Sequence, residues 1–138
     1  MKKSVLDIVI CCALLTLFSL GTTAFAGKNQ SSVMTKMADG TYVVNTTTLA
    51  SDVKGYRSTT PLNIYIKNGK VEKVEALKNQ ETPKYFVQVK NAILAKWNGE
   101  KVAKALKLKV DGVTGATMSS DAVKENVKRG LEYYQKNK

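Results

Sequence analysis

Two β-rich runs meet at Asn68-Gly69. On one side Leu62-Asn63-Ile64-Tyr65-Ile66-Lys67 alternates apolar and polar, and on the other Lys70-Val71-Glu72-Lys73-Val74-Glu75-Ala76-Leu77 continues in the same style. A two-residue turn that matches the twist of its strands needs positive φ at both central positions, which Asn and Gly tolerate. The pattern predicts a tight hairpin with Leu62, Ile64 and Ile66 on its buried face. A sheet face of this kind needs a cover, and the rest of the chain has to supply it.

Downstream, Asn79-Gln80-Glu81-Thr82-Pro83 is a polar break in which Pro83 suits a first helical turn and Thr82 an N-cap. Apolar residues at Phe86, Val89, Ala92-Ile93 and Ala95-Trp97 then fall at helical spacing until Asn98-Gly99 stops them. Phe86 and Trp97 read as core. Glu100 to Ala105 reads as a short helical turn and Leu106-Lys107-Leu108-Lys109-Val110 as a strand. The last segment places Ala122, Val123, Val127, Leu131 and Tyr134 on one face, behind a cap drawn from Ser119, Ser120 or Asp121. Upstream, Asp39-Gly40 is a turn into a strand over 41–45, while Thr46 to Tyr56 fits no single element. The class is α+β, a small antiparallel β-sheet packed against two main helices.

Composition enters at the N-terminus. Met1-Lys2-Lys3, an apolar run of 13 residues from Ile8 to Leu20, and Ala24-Phe25-Ala26 have the layout of a cleaved export signal over residues 1–26. Roughly 20 apolar residues span a bilayer, so a retained anchor is the lesser reading. Residues 27–38 read as a flexible linker and 39–138 as the working domain. Cleavage after Ala26 removes both cysteines, Cys11 and Cys12, and the chain of 138 residues has no histidine. Thiol chemistry, disulfides, Ser-His nucleophile pairs and the usual zinc sites lose their ligands; no metal is expected. The 20 basic and ten acidic residues that remain suit an anionic cofactor or partner. No aromatic-interleaved basic motif accompanies them, so nucleic acid is not the expected one.

The candidate site is Asp111-Gly112-Val113-Thr114-Gly115-Ala116-Thr117-Met118-Ser119-Ser120, a glycine-bearing loop rich in hydroxyls that opens the last helix. The first amides of a helix have no intrahelical acceptor and the peptide dipoles add positive charge, which together favour an anion such as phosphate. Gly115 permits close backbone approach, and Thr114, Thr117, Ser119 and Ser120 offer hydroxyls.

The loop resembles the Asp-x-x-(Ser/Thr)-Gly-Ala-Thr-x-(Ser/Thr)-(Ser/Thr) motif of FMN-binding domains whose flavin is covalently attached. That family includes the flavin subunits of the sodium-pumping NADH:quinone reductase and of Rnf-type complexes, and small exported relatives. Asp39-Gly40-Thr41-Tyr42, Gly55-Tyr56, Lys67-Asn68-Gly69-Lys70-Val71 and Asn79-Gln80-Glu81-Thr82-Pro83 follow the family's order, so the resemblance runs from about Asp39 to Tyr134. It implies FMN held through its phosphate, with Thr117 as the covalent acceptor. It also implies cofactor contacts from Glu81, Thr82, Thr114, Gly115, Ala116, Met118, Ser119 and Ser120, with Met118 against the isoalloxazine ring and helix capping as the other role for Glu81 and Thr82. Asp111 would shape the loop or aid the modifying enzyme. Implied partners are a flavin transferase that uses FAD and a divalent metal, a membrane quinone or NADH dehydrogenase as donor, and a downstream redox acceptor.

Three functions compete. The leading one is an exported flavoprotein electron carrier, periplasmic or at the extracytoplasmic cell surface, rather than a stand-alone enzyme. The second is a noncovalent FMN-binding module of a reductase. The third is a basic surface-binding module without flavin.

Overall fold

In a computed structural model the described residues are 32–138. The expected export signal and the first part of the expected linker lie outside them. Four strands, β1 (Met34–Lys36), β2 (Tyr42–Asn45), β3 (Leu62–Lys67) and β4 (Lys70–Ala76), form one antiparallel sheet in the order β1-β2-β3-β4. Three helices follow: α1 (Pro83–Ile93), extended by a 3-10 turn (Leu94–Trp97), the short α2 (Val102–Ala105), and α3 (Thr117–Asn137). The expected α+β class holds, with α1 and α3 as its two main helices.

The hairpin forms as its turn residues require, with Asn68 at φ 51° and Gly69 at φ 71°. Leu62, Ile64 and Ile66 are fully buried. A feature of β4 was not legible in the alternation. Tyr65 pairs with Lys73 and Ile66 with Val71, so Glu72 is an extra residue in the ladder. Val71 and Val74 sit three apart, an odd spacing that would send them to opposite faces of a regular strand. The bulge resets the pleat and both are buried.

The cover is supplied by α3 over β2 and β3, and by the 3-10 turn and α2 over β4, with α1 packed against the 3-10 turn and α3. Val123, Val127, Leu131 and Tyr134 line the buried face of α3, joined by Asn126 and Gly130. A Cβ at Gly130 would lie 2.5 Å from Ile64 Cδ1 and 3.1 Å from Thr46 Cγ2, so glycine sets how closely helix and sheet approach. Asn126 is satisfied by an inward polar network. Its Oδ1 accepts from the Thr46 hydroxyl at 2.5 Å, and its Nδ2 donates to Ala122 C=O at 2.8 Å and to Thr60 Oγ1 at 3.4 Å. Thr46 Oγ1 in turn accepts from Leu62 N–H at 2.9 Å. The segment 46–56, which fitted no element, is a turn held to α3 by this network and by Arg129.

Three expectations need correction. Met34–Lys36, placed within the linker, pairs in register with Tyr42–Val44 as an edge strand, so sheet structure begins before Asp39. Leu106 to Val110 is not a strand. The edge of β4 at its start is already taken: Gly99 N–H donates to Val71 C=O at 2.7 Å, Val71 N–H to Glu100 C=O at 2.9 Å, and Val102 N–H to Gly69 C=O at 2.9 Å. The alternation survives as packing, with Leu106, Leu108 and Val110 half-buried and Lys107 and Lys109 exposed. Finally, α3 starts at Thr117 rather than behind Ser119, Ser120 or Asp121.

Candidate functional site

The early start of α3 arises in the loop itself. Gly115 takes φ 83°, a left-handed conformation that suits glycine, and turns the chain into the helix. Ala116 occupies the N-cap position without a side-chain cap. Ala116 N–H donates to Val113 C=O at 2.9 Å, and the helical ladder opens with Ser120 N–H to Ala116 C=O at 2.9 Å. Thr117 is therefore the first helical residue, and the amides of Thr117, Met118 and Ser119 are the orphan donors of the first turn.

The hydroxyls that look alike in the sequence have separate fates. Ser120 Oγ is turned inward, donating to Ala116 C=O at 2.7 Å and accepting from Val113 N–H at 3.0 Å, which ties the loop to its own helix. Ser119 is buried and donates to a Glu81 carboxylate oxygen. Thr114 is exposed and lies outside the cavity lining. Thr117 is exposed at the cavity wall, and among the described residues its hydroxyl has no hydrogen-bond partner.

That cavity, about 460 Å³, is lined by Tyr56, Glu81, Thr82, Tyr85 and the run Gly115–Ser119. Its volume is in the range of small-molecule sites. Tyr56, Tyr85 and Met118 are 72%, 46% and 56% exposed, large side chains that gather around one hollow. Phe86 and Trp97 are core, as the spacing of α1 implied. Of the expected contact residues, the fold assembles Glu81, Thr82, Gly115, Ala116, Thr117, Met118 and Ser119, and sets Thr114 and Ser120 apart. Tyr56 and Tyr85 were missed as site residues; Tyr85 precedes a core Phe in a helical pattern, and its outward face was the available signal.

Glu81 does not cap α1. Its buried carboxylate accepts from the amides of Arg57 and Ser58 at 2.7 Å each and of Tyr56 at 3.1 Å, besides the Ser119 hydroxyl. Burial pushes this carboxyl up, and the Ser119 hydroxyl with the three amides outweighs it, so the acid sits below its ordinary value. Such an approach requires glycine at 55, because a Cβ there would stand 3.0 Å from Glu81 Cδ and Oε2. Thr82 takes the N-cap position of α1, but its side chain makes no cap bond and faces the cavity.

The hollow thus offers aromatic and thioether walls for a flat ring, and a helix start with free amides and one unengaged hydroxyl for a phosphate. These residues fit a flavin nucleotide. The model of the FMN-binding domain family matches residues 55–132. The chain belongs to that family. No curated protein and no solved structure matches it. The match begins at Gly55, the glycine beneath the Glu81 carboxylate, and covers every residue of the cavity. This FMN-binding domain takes FMN as its cofactor.

Proposed function

We propose that this FMN-binding domain carries its flavin covalently, as a phosphoester on Thr117, and relays electrons between redox partners outside the cytoplasm. The observation that carries the reading is the sorting of the loop hydroxyls. Ser119 and Ser120 are spent on Glu81 and on the Ala116 carbonyl, Thr114 lies away from the cavity, and Thr117 alone among the four presents a free hydroxyl to it. In the attachment step the Thr117 oxygen bonds to the flavin-side phosphorus of FAD, the pyrophosphate P–O bond breaks, AMP leaves, and the hydroxyl proton passes to solvent. An exported flavin transferase with a divalent metal would catalyse it. The orphan amides of Thr117, Met118 and Ser119 steady the phosphate charge. The bound cofactor supplies reversible electron transfer, and the protein supplies tether and surroundings. A covalent tether also suits a protein beyond the cytoplasm, where lost cofactor is not replaced, and the export layout of residues 1–26 supports that location. A membrane quinone or NADH dehydrogenase is the proposed donor.

Mass spectrometry of protein made beside a flavin transferase tests the reading. The expected product carries one FMN less one water at Thr117; Thr117→Ser retains the adduct and Thr117→Ala loses it entirely. An unmodified Thr117, with yellow colour released on acid precipitation, would assign the domain to noncovalent binding instead.

A further inference from the structure

Charge is distributed unevenly over this protein. Residues 84–109 carry Lys84, Lys90, Lys96, Lys101, Lys104, Lys107 and Lys109 against Glu100 alone, a net +6, while residues 32–138 as a whole hold 19 basic and ten acidic side chains, a net +9. All seven lysines are exposed. Elsewhere four of the twelve cations are paired: Lys67 with Asp39, Lys73 with Glu75, Lys124 with Asp121, and Arg129 with Asp52 and Glu125. In the basic sector, among the described residues, only Lys104 has a carboxylate partner, Glu100 at 2.9 Å.

A second hollow of about 560 Å³ opens in this sector. One wall is the end of α1 and the 3-10 turn, with Asn91 and Lys96, and the other is the run Leu108–Val113. Leu108, Val110 and Val113 are half-buried there, and Lys109 stands between them. The far wall ends in Asp111-Gly112-Val113, and Gly115–Ser119 of the same loop line the flavin cavity. One loop therefore parts the two hollows.

We propose that this basic groove is the docking surface for an acidic protein segment, one that presents carboxylates beside an apolar side chain and is thereby seated next to the flavin loop. Lysines on both walls attract the carboxylates, and Leu108, Val110 and Val113 offer the apolar side chain a floor. A concave site is a poor match for a flat bilayer. Single-stranded nucleic acid needs stacking platforms, and in this sector Trp97 is buried while Tyr85 faces the other cavity. The docking surface does not depend on covalent attachment of the cofactor, so the test is run on both the flavinylated protein and Thr117→Ala.

The probe is a peptide of repeated Glu-Glu-Leu, titrated at low and high salt. Lys96→Glu/Lys109→Glu is compared with Lys128→Glu/Lys136→Glu, two exposed lysines of α3 outside the groove. Binding is expected to fall with salt and to drop about tenfold or more in the groove pair, with a change of about twofold or less in the α3 pair. Circular dichroism confirms that both variants are folded. Equal losses in the two pairs, or no binding at low salt, would overturn the proposal. Tighter groove-dependent binding of phosphatidylglycerol vesicles or of oligo-dT would overturn it too, reassigning the face to a membrane or to nucleic acid. Failure of flavinylation with groove binding intact would count against the Thr117 reading alone.

Discussion

Two carboxylates tie loops to α3, and they do so in opposite surroundings. Glu81 is buried between the 56–58 turn and Ser119 near the start of the helix, taking four donors. Asp52 is exposed and pairs with Arg129 two turns from the helix end, at 2.5 and 3.1 Å, while Arg129 also donates to Leu49 C=O at 3.1 Å and to Glu125 at 2.9 Å. The second contact looks stronger on paper, a bidentate ion pair with geometry to match. Water competes for both of its partners, however, and exposed pairs of this kind contribute little. Around Glu81 the carboxylate and the Ser119 hydroxyl are buried, so losing their bond strands a polar group. The buried clasp also has a position the exposed one lacks, since it holds Tyr56 at the wall of the flavin cavity.

Removing each carboxylate is the direct way to break this comparison. Glu81→Ala leaves three backbone amides and the Ser119 hydroxyl without an acceptor, and should lower unfolding free energy by roughly 3 kcal/mol, water reaching the exposed turn and limiting the loss. Denaturant unfolding measures it, and flavin retention should suffer with it because the Tyr56 wall is released. Gly55→Ala attacks the same clasp from the other side. The new Cβ would meet a carboxylate held by four donors, and the expected cost is about 1–2 kcal/mol. If Gly55→Ala proved neutral, the clasp would be looser than the four bonds imply.

What could be read in the sequence follows the same division between local and distant causes. The hairpin was legible because Asn68-Gly69 decides its turn within two residues, and the buried face of α3 because its period is fixed by the helix. The Glu81 clasp was not, since its partners lie at 56–58 and at 119 and nothing in a Glu-Thr-Pro run names them. The loop hydroxyls show the limit most clearly. Four of them in seven residues signal a polar helix start, yet only the fold assigns Ser119 to Glu81, Ser120 to the Ala116 carbonyl and Thr117 to the cavity. Leu106 to Val110 carries a strand pattern, yet Leu106-Lys107 close a turn after α2 and only the apolar side of the pattern survives. Pairing needs a free edge, and Gly99 to Val102 had already taken the start of β4.

Acid titration sharpens the contrast. The Glu81 acid lies below its ordinary value of 4.5 in the folded protein. Its contribution to stability is complete above the unfolded value and is lost as pH falls through the folded one, because below 4.5 the unfolded chain takes up a proton that the folded chain refuses. Glu81→Gln should therefore be less stable near neutral pH and lose less stability on acidification, which unfolding curves across that window will show. A parallel fall in both proteins would mean that the carboxylate charge at 81 is not what the clasp depends on.

The smallest effect is expected at the exposed pair. The Arg129 guanidinium beside Asp52 holds that carboxyl below its ordinary value, and its two carboxylate neighbours raise Arg129 in turn. Both groups are solvated, so Asp52→Asn should shift the unfolding midpoint less than Gly55→Ala does, and molar salt should shrink the difference further. Glu125 and the Leu49 carbonyl remain to hold the guanidinium after Asp52 is neutralised, which works in the same direction. The flavin cavity lies at the other end of α3, and its occupancy should not change. A loss at Asp52→Asn equal to that at Glu81→Ala would show that anchoring α3 to the 46–56 turn matters as much as burial, and the ranking of the two carboxylates would have to be abandoned.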